Sequence, residues 1–366
     1  MIYFSLIIPL ITVIFLSWKF PKQVVLWERL LVFIVPIIAI VVSKFLSVAS
    51  LTNDIEYWNS YCLNSTYYEY WNEWIIKKCC AEEDTNGNCI EWEDCSYEEE
   101  HQAYWEVVDN IGKTHKYDQC SFEQAAKIWN NRKFMDMHRD YHTKDGDAYI
   151  TKYDGIFEHT IPICEQHTYK NKVQCSRSVF NFENVDTSEI RIYGLFSYPD
   201  CNKFNYNPLL GIINDSANYR LRCHNSYLGN LKQVHMMVLV FNNQPYQVAL
   251  KQEQLWKKGN KNEFILCIGI KDNKITWTYI ISWTDEELLK INVAKKAKKM
   301  EYNLTAIIDM MAKEVNNNFV RKKFADFNYI NVEPTTTAVI ITFIITLIVA
   351  VGISLYVVLN DIKSER

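Results

Sequence analysis

Residues 238–289 read VLVFNNQPYQVALKQEQLWKKGNKNEFILCIGIKDNKITWTYIISWTDEELL, and apolar runs alternate here with polar segments of helical spacing. The apolar residues of 231–241 predict a buried strand, and residues 246–258 predict a helix that Gly259 ends. Two further apolar runs predict strands over 263–270 and 275–283, which a Lys-Asp-Asn-Lys turn connects.

Two helices follow these strands. Acidic side chains after Thr284 are typical of the first turn of a helix, so a helix is predicted from there to about Lys299. A second helix is predicted over 303–324. The order βαββαα predicts a compact α/β domain over residues 229–330.

The layout of residues 229–318 resembles the TPM domain, a family of membrane-anchored periplasmic, lumenal and extracellular α/β domains. The matching positions are Trp256, Gly259, Asn262, the strand 264–270 and the strand that starts at Ile275. The resemblance implies an accessory role at a membrane complex or, as in some members, phosphatase activity or calcium binding. Residues 282–286, Ser-Trp-Thr-Asp-Glu, replace the glycine-rich segment of the family, and there Asp285 and Glu286 are the candidate cation ligands.

Both ends of the chain are apolar. Residues 1–18 and 334–360 carry no charged side chain, and each run is long enough to predict a membrane-spanning helix. Lys44 interrupts the apolar residues 30–51, but a lysine near a helix end can extend to the lipid headgroups, so a second N-terminal span is predicted there. The chain is therefore predicted to be an α+β membrane protein, in which two N-terminal helices and one C-terminal helix flank a disulfide-rich ectodomain.

Basic residues predict the orientation of these spans. The hairpin 19–29 contains Lys19, Lys22 and Arg29, which places it in the cytoplasm by the positive-inside rule. The N-terminus and residues 52–333 then lie outside, and the tail 361–366 lies in the cytoplasm.

The predicted location is a bacterial inner membrane or a viral equivalent. Abundant Asn, Lys, Ile and Tyr indicate an AT-rich genome, such as that of a bacteriophage or a low-GC bacterium. The alternative to two N-terminal spans is a cleaved signal peptide that ends near Ala49, so the retention of residues 1–49 stays open.

The chain has 11 cysteines, none of them in the apolar ends. The first ten predict five disulfides: Cys62, Cys79, Cys80, Cys89, Cys95, Cys120, Cys164, Cys175, Cys201 and Cys223. Their pairing cannot be deduced from sequence. Cys267 lies within an apolar strand and is predicted to be a buried free thiol. Zinc is the alternative, but the spacings do not fit a zinc ribbon or finger.

Residues 52–133 form a part of the ectodomain that is rich in Cys, Trp and acid. Its aromatic spacing, as between Trp71 and Trp74, predicts short helices clipped by disulfides. Residues 81–106 contain ten Asp or Glu and no Lys or Arg. This run is interpreted as a solvated loop, with loose cation binding as the alternative, because Cys89 replaces the glycine of an EF-hand.

Residues 134–228 predict a strand-and-loop part with the densest polar cluster of the chain. If its first residues are helical, His138 and His142 lie one turn apart, with Asp140, Asp145 and Asp147 as oxygen donors for a divalent cation. The alternative is that this spacing arose by chance. No cofactor is firmly implied, and no catalytic residue is assigned.

The sequence favours binding over catalysis. A net charge of −4 gives no reason to bind nucleic acid, and the phosphate-loop, nucleophile-elbow and dinucleotide motifs are absent. The leading hypothesis is a membrane-anchored binding or accessory module, with the lipid bilayer and a membrane or envelope protein as its partners. The alternative is a metal-dependent, phosphatase-like hydrolase whose active site lies outside the cytoplasm.

Overall fold

The computed structural model describes residues 2–21, 24–85, 87–117, 135–138, 148–175, 182 and 184–360, with backbone alone at 117, 135–138, 148–149, 202 and 360. It divides into two compact units. The first comprises Met1–Ile55, Thr168–Phe182 and Lys323–Arg366, and the second comprises Glu56–His167 and Glu183–Lys322.

The described helices and strands follow one another in this order. The helices are α1 (Ile7–Lys19), α2 (Leu26–Thr52), α3 (Thr187–Tyr193), α4 (Asp215–Lys232), α5 (Gln247–Leu255), α6 (Glu287–Lys299), α7 (Leu304–Asn318) and α8 (Thr336–Asn360). The strands are β1 (Asn53–Tyr68), β2 (Trp71–Ile75), β3 (Lys78–Glu83), β4 (Cys89–Asp94), β5 (Tyr97–His101), β6 (Tyr104–Asp109), β7 (Thr114–Tyr117), β8 (Met135–His138), β9 (Ala148–Lys152), β10 (Pro162–Lys170), β11 (Cys201–Asn202), β12 (Asn205–Tyr206), β13 (Leu209–Leu210), β14 (His235–Asn242), β15 (Glu263–Lys271) and β16 (Lys274–Ser282).

The first unit contains three apolar helices that contact one another, α1, α2 and α8. Leu16, Val32 and Val357 are buried between them, whereas Phe45 and Ile348 are exposed, as expected of side chains that face lipid. The segments Ile2–Lys19, Leu26–Thr52 and Thr336–Leu359 are each long and apolar enough to cross a membrane, which agrees with the three predicted spans.

The first two helices are joined by a shorter connection than predicted. The prediction placed a hairpin at 19–29, but α2 already begins at Leu26. Glu28 accepts a hydrogen bond from the backbone N–H of Val25 at 2.9 Å and so caps this helix. Arg29 donates a hydrogen bond to the carbonyl oxygen of Val24 at 3.0 Å, which gives this backbone group a partner in the turn.

The second unit contains a sheet of order β7-β6-β1-β9-β8, with β10 also paired to β1. Its core is formed by Cys62, Trp105, Val107, Ile161 and Ile163. The helices predicted for this part are therefore wrong within residues 53–117, where the described residues form strands and the turns between them. Aromatic and β-branched side chains pack well on a pleated surface, and here that preference decides the structure.

A second sheet in this unit has the order β13-β14-β15-β16, and its last pair is antiparallel. One face is covered by α4, α6 and α7, and the other by α5. Both faces are buried, which explains the unbroken apolar runs of β14 and β15. The predicted order βαββαα is present over β14 to α7, although α4 extends to Lys232, so the strand predicted at 231–241 starts at His235.

A candidate partner-binding arm

Residues Trp71–His101 form a long two-stranded ribbon, which we call the arm. β2 pairs with β5 from Trp71 opposite His101 to Ile75 opposite Tyr97, and β3 then pairs with β4. At its end the carboxylate of Asp84 accepts the backbone N–H of Asn88 at 2.8 Å. With about 15 residues per side and roughly 3.3 Å per residue, the ribbon has an extended length of about 50 Å.

Two disulfides cross-link the arm. Cys79 bonds to Cys95 and Cys80 bonds to Cys89, with Cα–Cα distances of 5.8 and 5.5 Å. Neighbouring residues of a strand point to opposite faces, so one bridge lies on each face of the ribbon. None of the arm residues that the structure describes is buried, so the two bridges substitute for a hydrophobic core.

Large apolar side chains are exposed along the arm. Trp74, Ile76, Ile90 and Trp92 have exposed fractions of 56, 78, 63 and 61%. Isolated exposed apolar residues are common on proteins, but several on one narrow element are typical of an interaction surface. Tryptophan is also enriched where partners bury most of their binding energy.

The same ribbon is strongly acidic, with ten Asp or Glu and two Lys in residues 71–101. Glu73 lies opposite Glu99 and Glu82 lies opposite Glu91, so like charges face each other across the strands. Such cross-strand pairs are destabilising. Hydrogen bonds from the Ser96 hydroxyl and N–H lower the pKa of Asp94, which keeps this carboxylate ionised. A cationic surface placed against the arm would relieve this repulsion.

The residues predicted as metal ligands do not form a site in the described part of the chain. His138 lies at the end of strand β8 and not in a helix, as the prediction required. His142, Asp140, Asp145 and Asp147 lie outside the described residues. Among the residues that the structure does describe, no group of three or more His, Cys, Asp or Glu is arranged to hold a metal ion.

Asp285 and Glu286, the candidate cation ligands from the TPM resemblance, lie just before helix α6. Asp285 accepts a hydrogen bond from the Nζ of Lys322 at 2.7 Å. Glu286 precedes the first residue of α6, and its side chain makes no capping hydrogen bond. Asp285 is thus paired with a lysine, and Glu286 is the residue that precedes α6.

Six of the ten cysteines that were predicted to form disulfides do so. Besides the two bridges of the arm, Cys164 bonds to Cys201 with a Cα–Cα distance of 6.3 Å. Within the described residues Cys62, Cys175 and Cys223 form no disulfide, in contrast to the prediction, and Cys120 lies outside the described residues.

Burial explains why two of these thiols are free. Cys62 is a residue of β1 whose side chain packs in the core of the first sheet, and Cys223 lies on the buried side of α4, where burial raises its pKa to about 11. Both behave as small apolar side chains. Cys267 is a buried free thiol, as predicted, and burial raises its pKa far above the usual range.

Sequence reasoning missed the arm although two signals for it are present. The dipeptide Asn-Gly at 86–87 is a strong hairpin signal, and Ile-Glu-Trp-Glu at 90–93 alternates as a strand does. The density of acidic residues favoured a solvated loop instead.

No family model, curated protein or solved structure matches this chain. The similarity of residues 229–318 to the TPM domain is therefore neither supported nor contradicted.

Proposed function

We propose that this chain is a membrane-anchored binding protein. Its arm binds a partner protein that presents a basic surface with apolar pockets. The observation that carries the proposal is the combination of exposed Trp and Ile side chains with ten carboxylates on one disulfide-bonded ribbon. Apolar anchors supply affinity, and complementary charge supplies selectivity and a fast encounter.

Other partner classes fit the arm less well. Nucleic acids and anionic lipid surfaces carry the same sign of charge as the arm and would be repelled. A basic protein surface neutralises the facing pairs Glu73/Glu99 and Glu82/Glu91, and a partner that contacts both faces of the ribbon also covers Trp92. An accessory role in a membrane or envelope complex follows from an arm of this kind on an anchored chain.

We further propose that residues 52–333 lie on the non-cytoplasmic side of the membrane. Three disulfides among the described residues favour an oxidising compartment, and the basic residues between the first two helices favour the cytoplasmic side for that connection. In this arrangement the α/β part at 229–318 acts as a TPM-like scaffold rather than as an enzyme.

The binding role is tested by site-specific photocrosslinking in the native membrane. A photoreactive amino acid replaces Ile90 in the full chain, and a matched chain carries it at Ile213, which is 95% exposed but lies outside the arm. We expect a discrete adduct from position 90 and none from position 213. The partner peptide, identified by mass spectrometry, should be rich in Lys or Arg.

Charge and side-chain variants make this experiment decisive. Glu82→Lys with Glu91→Lys, and separately Trp92→Ala, should each remove the adduct while the chain still inserts and keeps its disulfides. An adduct that survives both changes would show that the arm is not the binding surface. An adduct with a second copy of this chain would show that the arm mediates self-association and does not bind a different protein.

A further inference from the structure

A second candidate site lies away from the arm, within the same unit. A cavity of about 220 Å³ is lined mainly by side chains of β1, of the C-terminal end of α4 and of the residue before β15. We call it the amide pocket, and its polar lining consists of Asn59, Asn230, Gln233 and Asn262, with Trp58 and Ile111 as its main apolar surface.

Asn262 has an unsatisfied hydrogen-bonding group at this pocket. Its side chain is 1% exposed, and its Nδ2 donates to the carbonyl oxygen of Tyr57 at 2.7 Å. Its Oδ1 is buried and has no hydrogen-bond partner among the described residues. Buried amide oxygens nearly always accept a hydrogen bond, so this atom of a lining residue is left without its usual donor.

A buried ion pair holds two of the lining side chains in place. Glu56 is 2% exposed and pairs with the guanidinium of Arg321. The indole Nε1 of Trp58 donates to the Oε1 of Glu56 at 2.9 Å, and Arg321 donates to the Oε1 of Gln233 at 2.6 Å. The indole orientation is therefore fixed, and the amide nitrogen of Gln233 remains available as a donor.

The indole of Trp58 supplies a flat apolar surface. It stacks on His167 with 3.7 Å between the ring centroids, which covers one face of the ring. Trp58 nevertheless remains 41% exposed, and Ile111 remains 47% exposed. Both are therefore accessible to a ligand.

The lining selects a class of ligand. It contains no Asp, Glu, Lys, Arg or His among its residues, so the ligand is neutral. Several amides offer donors and acceptors together, which suits a molecule with many hydroxyl groups, and the indole suits the apolar C–H face of a ring. The cavity is smaller than the roughly 300–1,000 Å³ of pockets for drug-sized ligands, which limits the ligand to about one ring.

We propose that the amide pocket binds a single neutral pyranose, either as a free monosaccharide or as the terminal residue of a glycan. One of its hydroxyl groups donates to the Oδ1 of Asn262, the amides of Asn230 and Gln233 contact others, and the ring lies against Trp58. This site is independent of the arm, because no residue is shared between them.

The test is ligand-observed NMR titration of the full chain in lipid nanodiscs, since glycoside detergents would themselves compete. The probes are glucose, N-acetylglucosamine and, as a planar competitor, adenosine. We expect saturable binding of at least one of the two sugars. Trp58→Ala should weaken it about tenfold by loss of the stacking surface.

Two further variants keep the outcome interpretable. Asn230→Ala changes an exposed side chain, so it keeps the fold, and it should weaken sugar binding about threefold, as expected for one lost hydrogen bond. Tyr329→Ala is the matched aromatic control, because Tyr329 is 74% exposed and lies in the other unit, and it should leave binding unchanged.

The two sources of the sugar are separated by oligosaccharides that carry the bound pyranose at the non-reducing end. Equal or tighter binding of the oligosaccharide indicates a glycan terminus, and binding of the monosaccharide alone indicates a free sugar. Binding of adenosine without sugar, sugar binding that both pocket variants leave unchanged, or no saturable binding at all would overturn the proposal. In the last case, a water molecule satisfies Asn262.

Discussion

The arm and the sheet β13-β14-β15-β16 are both made of hydrogen-bonded strands, but they are stabilised in opposite ways. In β14 and β15 nearly every side chain is buried between helices. In the arm none of the described side chains is buried, and two disulfides join its strands. Because the arm does not need its apolar side chains for folding, they remain available for a partner.

The two regions also owe their free energy of folding to different interactions. Each fully buried apolar side chain in the sheet contributes about 1.5–3 kcal/mol. The two arm bridges close loops with sequence separations of 16 and 9 residues, and each should stabilise the ribbon by about 3 kcal/mol. The sheet should therefore respond to loss of volume, and the arm should respond to reduction.

The largest effect is expected for a cavity in the sheet. Leu266 lies in the middle of β15 and is fully buried, so Leu266→Ala should lower the free energy of unfolding by about 2–5 kcal/mol. The matched control is Ile90→Ala in the arm, where the loss should stay below about 0.5 kcal/mol. Denaturant titration followed by circular dichroism measures both. Equal losses at the two positions would show that the arm has a core of its own.

The next effect is expected for the arm alone. Replacing Cys80 and Cys89 together by serine should remove about 3 kcal/mol of stability from the ribbon. Hydrogen exchange should then show faster exchange across β3 and β4 and unchanged exchange in β14 and β15. The matched control is Cys223→Ser, a free cysteine outside the arm, which should not change exchange in β3 and β4. Loss of protection in β15 on removing the arm bridge would contradict the independence of the two regions.

The sheet could be predicted from sequence because its hydrophobic pattern is compatible with one arrangement of strands and helices. Continuous apolar runs separated by a helix and a tight turn, as at 263–270 and 275–283, require burial on both faces. The predicted order of elements was correct there, with shifts of a few residues at the ends.

The arm could not be predicted with the same reasoning. Its residues are polar, charged and aromatic at once, and hydrophobic periodicity is informative where side chains become buried. Trp71 and Trp74 were interpreted as parts of short helices because burial was assumed, and Trp92 lay in the acidic run that was interpreted as a solvated loop. Cysteine pairing is likewise a property of the folded chain, so the free thiols Cys62 and Cys223 could not be distinguished from bridge partners.

The amide pocket could not be predicted from the sequence either. It brings together Trp58, Gln233 and Asn262, which are separated in the chain, and Arg321, which does not line the pocket, holds Gln233 in place. No sequence motif connects them, and Asn262 entered the sequence argument as one of the positions that match the TPM layout. A pocket of this kind becomes visible once the three-dimensional contacts are known.

The smallest predicted effect concerns pH and again separates the sheet from the arm. His235, the first residue of β14, is 2% exposed, and its Nδ1 lies 3.0 Å from the amide nitrogen of Asn59. Burial lowers its pKa to about 3 from an ordinary value of 6.5. Between these two values the unfolded chain binds a proton that the folded chain does not, so acidification destabilises the fold by about 2 kcal/mol at pH 5 relative to pH 7.5.

The measurement compares the free energy of unfolding at pH 7.5 and pH 5 in the parent chain and in His235→Gln. The variant should lose less stability on acidification by about this amount, whereas the arm variant Asn72→Gln, which changes no titratable group, should retain the full loss. Carboxylates also titrate as the pH falls, but they are common to all three chains and cancel in the comparison. If His235→Gln and the parent lost equal stability, His235 would be accessible to protons in the folded state. Its place in the sheet would then be as open to solvent as the arm is.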